Sequence, residues 1–434
     1  MHLSRVRLLR RGFLLLLALV FVGCSLSITT TSSAVWLPIK HRPVHLQIKS
    51  FSATSPVIDV LTNQILTNME QHAWNTQAMT RKAVTGGLYI NWKMSDPSIT
   101  NVTNPGEDGD VQHNHDPQVD LLYLDSLAEF QQLHSQDHTY DSEVVKATAM
   151  VLTDFQNYSM PKGWVYFALL KSGTLLQNTA LINDAYNVAN NFYEHSYDPK
   201  LGFVYDHSHK PGNYNTDHTL VSGVALIDAG LRFNNPSWVS AGESTINHTI
   251  AVALDPHYHL FYDGMIVSQN GHDKVSSYKA KASMQGQIID ALLTAYTLVN
   301  NPQYLNVATQ TLQAMLQATN MWDAKLGGYY FAFDLQTGKP LTAYKETRGQ
   351  SLMLLALHHY NKLINQQYAS QEQQVLSVLV NNFYESTYHG YFYRMTPDFH
   401  IFVTHSGQGA GVEDAFTTEA MSGALDALQT TELS

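Results

Sequence analysis

Acids, histidines and tyrosines gather in a few short stretches of this chain. Glu107, Asp108, Asp110, His113, His115 and Asp116 stand together, with Asp120 four residues on, and Asp206, His207, His209, Tyr214, Asp217 and His218 form a second group. A third holds Tyr258, Asp263, His272, Asp273, Tyr278, Lys279 and Lys281; a fourth Tyr344, Lys345, Glu346 and Arg348; and a fifth His400, His405, Glu413 and Asp414. Three chemistries are open to such groups. Two carboxyls facing each other across a bond can serve as acid and base when burial or a like charge raises one of them toward neutrality. The oxygens of Glu107 to Asp110 could hold calcium, although the order of ligands in an EF-hand is missing. His-x-His triplets at His113/His115, His207/His209 and His257/His259 would put both imidazoles on one face of an extended segment. None has the helical His-Glu-x-x-His spacing of a zinc site, so neither metal nor cofactor is expected.

The elements that must position these groups follow from an internal repeat. Asn190-Asn191-Phe192-Tyr193-Glu194 returns as Asn381-Asn382-Phe383-Tyr384-Glu385, Asp198-Pro199-Lys200-Leu201-Gly202 as Asp323-Ala324-Lys325-Leu326-Gly327, and Asn234-Asn235-Pro236 as Asn300-Asn301-Pro302. The offsets, 191, 125 and 66, are close to three, two and one times a unit of about 63 residues, and six units fill the chain from about Ser55 onward. Asn-Asn-Pro ends one helix and opens another, because proline at the first helical position forfeits no hydrogen bond. That amphipathic helix closes at a glycine followed by aromatics, as in Gly202-Phe203-Val204-Tyr205 and Gly390-Tyr391-Phe392-Tyr393, which reads as a small hairpin. A second helix follows that is apolar almost all round, as in Gln350 to Tyr360, and so belongs inside. The inner helices are expected to begin near Asp116, Gly163, Asp217, Lys281, Glu346 and Glu413, and the outer ones near Val57, Asp141, Leu181, Pro236, Pro302 and Gln371. Strict alternation makes an all-α toroid of six helical hairpins, a single domain over residues 55–434, with only small β-hairpins. Asp116 before Pro117 reads as a helix cap, whereas Asp120, one turn on along the same face, has no capping role to explain it.

Composition narrows the partners. The chain carries 25 Lys plus Arg against 36 Asp plus Glu, a net charge of -11, so it has no basic surface for nucleic acid or for acidic lipid. At the N-terminus four arginines, Arg5, Arg7, Arg10 and Arg11, precede the apolar run Phe13 to Val22, with Gly23 before Cys24, the only cysteine. This is the layout of a secretory signal over residues 1–23, too short to span a bilayer by itself. It resembles a bacterial lipoprotein signal, which implies lipidation of Cys24; a cut near Ala34 or an uncleaved anchor stays open. Residues 24–54 begin with a Ser/Thr-rich run that reads as a flexible tether. Loss of the signal would leave 21 positive against 36 negative side chains. The expected protein is exported and monomeric, and touches a membrane only through its anchor.

Alternating helices of this period, with Asp323-Ala324-Lys325-Leu326-Gly327-Gly328-Tyr329-Tyr330 before an inner helix, resemble the six-hairpin (α/α)6-barrel glycosidases and their relatives, including the N-acylglucosamine and cellobiose 2-epimerases and the α-1,6-mannanases. The resemblance implies a pocket at the rim where the inner helices begin, with helix dipoles converging on it. It also implies a poly- or oligosaccharide partner. The mannanases use two adjacent aspartates, and this chain has no Asp-Asp pair. Hydrolysis needs two carboxyls across the bond, and the rim pool is Asp116, Asp120, Asp217, Glu346, Glu413 and Asp414. Asp217, Asp414 and Asp120 are the expected catalytic acids, with Arg348 expected to pair with its neighbour Glu346. Trp92, His218, Tyr214, Tyr278, Tyr344, Arg348 and His405 are the expected substrate-binding residues, the aromatics by stacking on sugar faces. A glycoside hydrolase is the first expectation. An epimerase or lyase using His218, His405 or Tyr278 as base, and a non-catalytic glycan-binding lipoprotein, are the alternatives.

Overall fold

The computed structural model describes residues 56–75, 86–98, 100, 116–155, 162–205, 213–267, 273–402 and 415–432, all within one compact unit. Cys24, the signal and tether segments, the Glu107 to Asp110 cluster, His405 and Asp414 lie outside the described residues. Twelve α-helices are described. The outer six are α1 (Pro56–His72), α3 (Asp141–Phe155), α5 (Thr179–Asn191), α7 (Pro236–Ala253), α9 (Pro302–Gln313) and α11 (Ala369–Val378). The inner six are α2 (Pro117–Leu133), α4 (Gly163–Leu175), α6 (Thr216–Arg232), α8 (Ala282–Val299), α10 (Thr347–Leu363) and α12 (Thr418–Glu432). Each inner helix packs on the next and α12 packs back on α2, which closes the ring.

Local chemistry sets the ends of these helices. Gln177, Asn234 and Asn300 take left-handed backbone, with φ of 52°, 56° and 54°, where inner helices stop. Asn178 and Asn301 then accept amide hydrogens from the first turn of the next outer helix. Three outer helices, α5, α9 and α11, end in a π-helical turn over Phe192–Ser196, Ala314–Ala318 and Leu379–Phe383. After α5, α7 and α9 comes an aspartate turn: Asp198, Asp255 and Asp323 each accept two backbone N–H groups. Four residues after these aspartates, and after Glu385, the chain again needs positive φ. Gly202 (64°) and Gly327 (81°) supply it in two units, and His259 (55°) and His389 (59°) in two others. His259 is therefore a turn residue, which accounts for one of the His-x-His triplets.

A short strand before four of the inner helices pairs with the hairpin of the following unit. Asn213–Asn215 pairs with Gly264–Ile266, Lys279–Lys281 with Ala332–Asp334, Lys345–Glu346 with Arg394–Met395, and Ala415–Thr417 with Asn91–Lys93. The last pairing joins the two ends of the ring. The inner helices approach so closely that Gly163 and Gly286 are required: a Cβ there would stand 2.3 Å from Val221 C and 2.7 Å from Leu352 C, respectively.

The last inner helix differs from expectation. It begins at Thr418 instead of near Glu413, because Ala415–Thr417 is taken into the ring-closing strand pair before the helix can start.

Candidate functional site

The inner helices start in the same way, and their first turns define the site. Thr216, Thr347 and Thr418 donate their hydroxyls to the carbonyls of Tyr262, Phe392 and Tyr89 in the next hairpin. Their backbone N–H groups, with that of Ala282, donate to Asp263, Tyr393, Ile90 and Phe331. The foremost amides of these four helices are thus used in holding the ring together, and the expected convergence of helix dipoles on a ligand is reduced by that much.

The second residue of each inner helix stands at the rim: Gln118, Trp164, Asp217, Ser283, Arg348 and Glu419. Arg348 Nη1 lies 2.9 Å from Glu419 Oε1, the two side chains being 36% and 29% exposed. Burial by itself would lower the Arg348 guanidinium; the carboxylate of Glu419, followed by that of Asp217, raises it instead. Asp217 holds the equivalent rim position on a third helix, near enough for its charge to act on Arg348. Glu346 is committed elsewhere: Arg394 Nε and Nη2 each lie 2.9 Å from its Oε1, in a buried cross-strand pair. The expected Glu346–Arg348 pair is replaced by Glu346–Arg394 and Arg348–Glu419. Arg394 also lies under Tyr344, 4.5 Å from the ring centre, and Tyr344 packs on Phe331 and Phe402 to form a half-buried aromatic wall.

The remaining expected residues divide. Tyr278 is 42% exposed beside Tyr262, and His218 follows Asp217 on α6. Trp92 and Tyr214 are corrections: both are fully buried, Trp92 opposite Phe416 in the closing strands and Tyr214 against Phe203, so neither ring has a face to offer a sugar. Asp120 is also fully buried, and its Oδ1 accepts the Leu88 N–H at 2.8 Å. The fourth residue of α8 and of α10 does the same work, since Gln285 and Gln350 bond both backbone groups of Phe261 and Tyr329. The shared position makes Asp120 a latch between helix and hairpin. Asp116 caps α2 as expected, accepting from the Gln118 N–H. No cluster of three or more His, Cys, Asp or Glu side chains suited to a metal occurs among the described residues.

Glu419 is the residue the sequence reading missed. A signal was present: Thr216-Asp217, Thr347-Arg348 and Thr418-Glu419 repeat one pattern, a threonine bonded to the next hairpin and a charged side chain turned to the rim.

Solved structures share this architecture. The fold is the six-hairpin (α/α)6 barrel. An unsaturated glucuronyl hydrolase specific for heparin is 15% identical, with a TM-score of 0.64 over 86% of this chain and 96% of that one. A D-mannose isomerase is 13% identical, with a TM-score of 0.60 over 88% and 99%. A family 76 glycoside hydrolase from a bovine Bacteroides thetaiotaomicron strain is 11% identical, with a TM-score of 0.59 over 86% and 77%. No family profile matches the barrel's sequence, and no curated protein does.

Proposed function

We propose that the barrel is a carbohydrate-active enzyme, a glycoside hydrolase in which Asp217 and Glu419 are the two working carboxyls. The observation that carries this reading is the Arg348–Glu419 ion pair at the rim, with Asp217 at the equivalent position of a third inner helix and its charge acting on Arg348. Arg348, 2.9 Å from Glu419, holds that carboxyl in place at the rim, where it can activate water or attack the anomeric carbon. Asp217, across the pocket, protonates the leaving oxygen as the glycosidic C–O bond breaks. The oxygen of water ends on the anomeric carbon, and its two protons restore Asp217 and complete the new hydroxyl. Tyr344 and Tyr278 are the aromatic surfaces left open for stacking on a sugar ring.

The experiment is a screen of purified residues 25–434 on a panel of polysaccharides with product analysis. Glu419→Gln and Asp217→Asn should each lower kcat by ~10²- to 10⁴-fold without loss of fold; full activity in both variants would remove these residues from the mechanism. A second reading is isomerisation or epimerisation with His218 as base. It draws on His218 lying next to Asp217 on α6 and on the isomerase among the structural neighbours. A new ketose or epimer with no increase in reducing ends would favour it. A shifted melting temperature with no product would leave a glycan-binding protein. Export and lipidation at Cys24 belong to the same proposal, supported by the arginine-rich, apolar N-terminus. Cys24→Ala should then move the protein from the membrane fraction to the soluble one.

A further inference from the structure

Below the rim, solvent reaches a line of side chains deep inside the ring of inner helices. In α12 the first thirteen residues are buried except Glu419, Gly423 and Asp426, the second, sixth and ninth. In α10 the same three positions, Arg348, Leu352 and Leu355, are the open ones, and in α8 they are Gln287 and Asp290. Positions two, six and nine lie on one face of a helix. That this face looks down the axis follows from the ninth residues. Lys171 of α4 reaches Asp125 of α2 at 2.8 Å and Asp426 of α12 at 2.7 Å, although α4 and α12 stand on opposite sides of α2. Only the interior of the ring brings three such helices together. A Cβ placed on Gly423 would meet nothing within 4 Å, so open space adjoins it.

The opening stops one turn lower. At the thirteenth position of five inner helices Glu129, Asp228, Thr294, His359 and Thr430 are all 6% exposed or less, and only Leu175, the last residue of α4, is half-buried. The axis is therefore a blind bore, entered at the rim and about 10 Å deep from the second residue to the ninth at 1.5 Å per residue. Its floor is polar. Lys171 is 22% exposed, Asp426 29% and Asp290 28%. Glu129, beneath them, bonds Lys171 at 2.8 Å through one oxygen, while its Oε2 is buried with no partner. Around the bore stand Asp217, Glu419, Asp125, Glu129, Asp290 and Asp426, against the cations Arg348 and Lys171 and the imidazole of His359, which lies 2.7 Å from Asp290.

We infer that this bore is a binding subsite for the end of a glycan chain, and that it takes a neutral or amino sugar ring in preference to a uronate. The inference rests on the carbohydrate reading above and adds to it a mode of attack and a charge preference. A closed floor admits a chain end and excludes the middle of a chain. A polar floor with exposed carboxylates and one ammonium offers acceptors and donors to ring hydroxyls. Its excess of acid repels a carboxylate on the ligand and favours an ammonium.

The test uses residues 25–434 and saturation-transfer NMR with neutral hexoses of the gluco, manno and galacto series, their 2-amino derivatives and their uronic acids. Neutral or amino sugars of at least one series should give signals, and the uronic acid of that series should give signals at least tenfold weaker. Gly423→Leu fills open space and should lower the signals at least tenfold without lowering the melting temperature. Leu355→Trp, entering the bore from the neighbouring helix, is the second variant should the first fail to fold. Equal or stronger signals from uronic acids, unchanged binding in both variants, or no signal from any sugar would overturn the inference. On whichever polysaccharide the panel identifies, short products from the start of the reaction support it, and random mid-chain scission overturns it while leaving the hydrolase reading intact.

Discussion

At the scale of single residues, one buried ion among the described residues is met by several partners at once. Lys345 is fully buried, yet its ammonium donates to Asp323 Oδ2 at 2.9 Å, to Gly327 O at 2.6 Å and to Pro397 O at 2.8 Å, with the Phe399 ring 4.3 Å away. Burial lowers the lysine's pKa, with the Asp323 carboxylate working against it. The result is a fixed link between two adjacent hairpins, one residue before Glu346. Lys345→Met leaves Asp323 buried without its cation, and removal of one partner from such a pair costs about 3 to 5 kcal/mol. Urea unfolding should show that loss, and a change below 1 kcal/mol would mean that Asp323 finds another partner. The same scale explains what the sequence reading could not resolve at the rim. Glu346 and Arg348 are two apart, but their partners are Arg394 and Glu419, and nothing local selects those.

At the scale of elements, two kinds of glycine separate packing from emptiness. Gly286 of α8 lies against the backbone of Leu352 on α10, with a would-be Cβ 2.7 Å from Leu352 C, whereas Gly423 of α12 faces open space. Gly286→Ala should therefore destabilise by about 1 to 3 kcal/mol through overpacking of two inner helices. Gly423→Ala should stabilise by about 0.5 to 1 kcal/mol, since alanine is the better helix former and meets no neighbour. Denaturant midpoints of the two variants should move in opposite directions; a shared direction would contradict the placement of the bore. Helix boundaries were legible from sequence wherever the signal was local, as at Asn301-Pro302 or Asp116-Pro117. The start of α12 was not, because its first residues are decided by a strand pairing with Asn91–Lys93, more than three hundred residues away.

At the scale of the whole molecule, the axial cluster ties stability to pH. Burial first, and then the charge of Asp426, raises the Asp125 carboxyl to about 6, with Lys171 opposing. Glu129 is raised in the same way. A carboxyl raised in the folded state contributes stability that is complete below its unfolded pKa of about 4 and is lost as pH climbs through its folded value. Melting temperature should thus fall as pH rises from 4 through 6, and Asp125→Asn should flatten that slope. A wild-type curve that rises through this window would remove the cluster as its cause. Carboxylates held low, such as Asp323 and Glu372, act in the opposite sense at lower pH.

By itself the sequence determined the repeat, the alternation of inner and outer helices and the turns that join them, because each of these is set by residues a few positions apart. Caps, prolines and left-handed asparagines act on the backbone next to them, and a helix apolar all round can only be an inner one. Tertiary structure alone decided which acid stands at the rim, which aromatic is core and where solvent penetrates. Trp92, Tyr214 and Asp120 were drawn from the same residue types as Tyr344 and Asp217, and only the packing of hairpins on one another and on the inner helices turned the first three inward. Charge partners and exposure depend on what six helices bring together across the axis, and that arrangement is absent from any single stretch of chain.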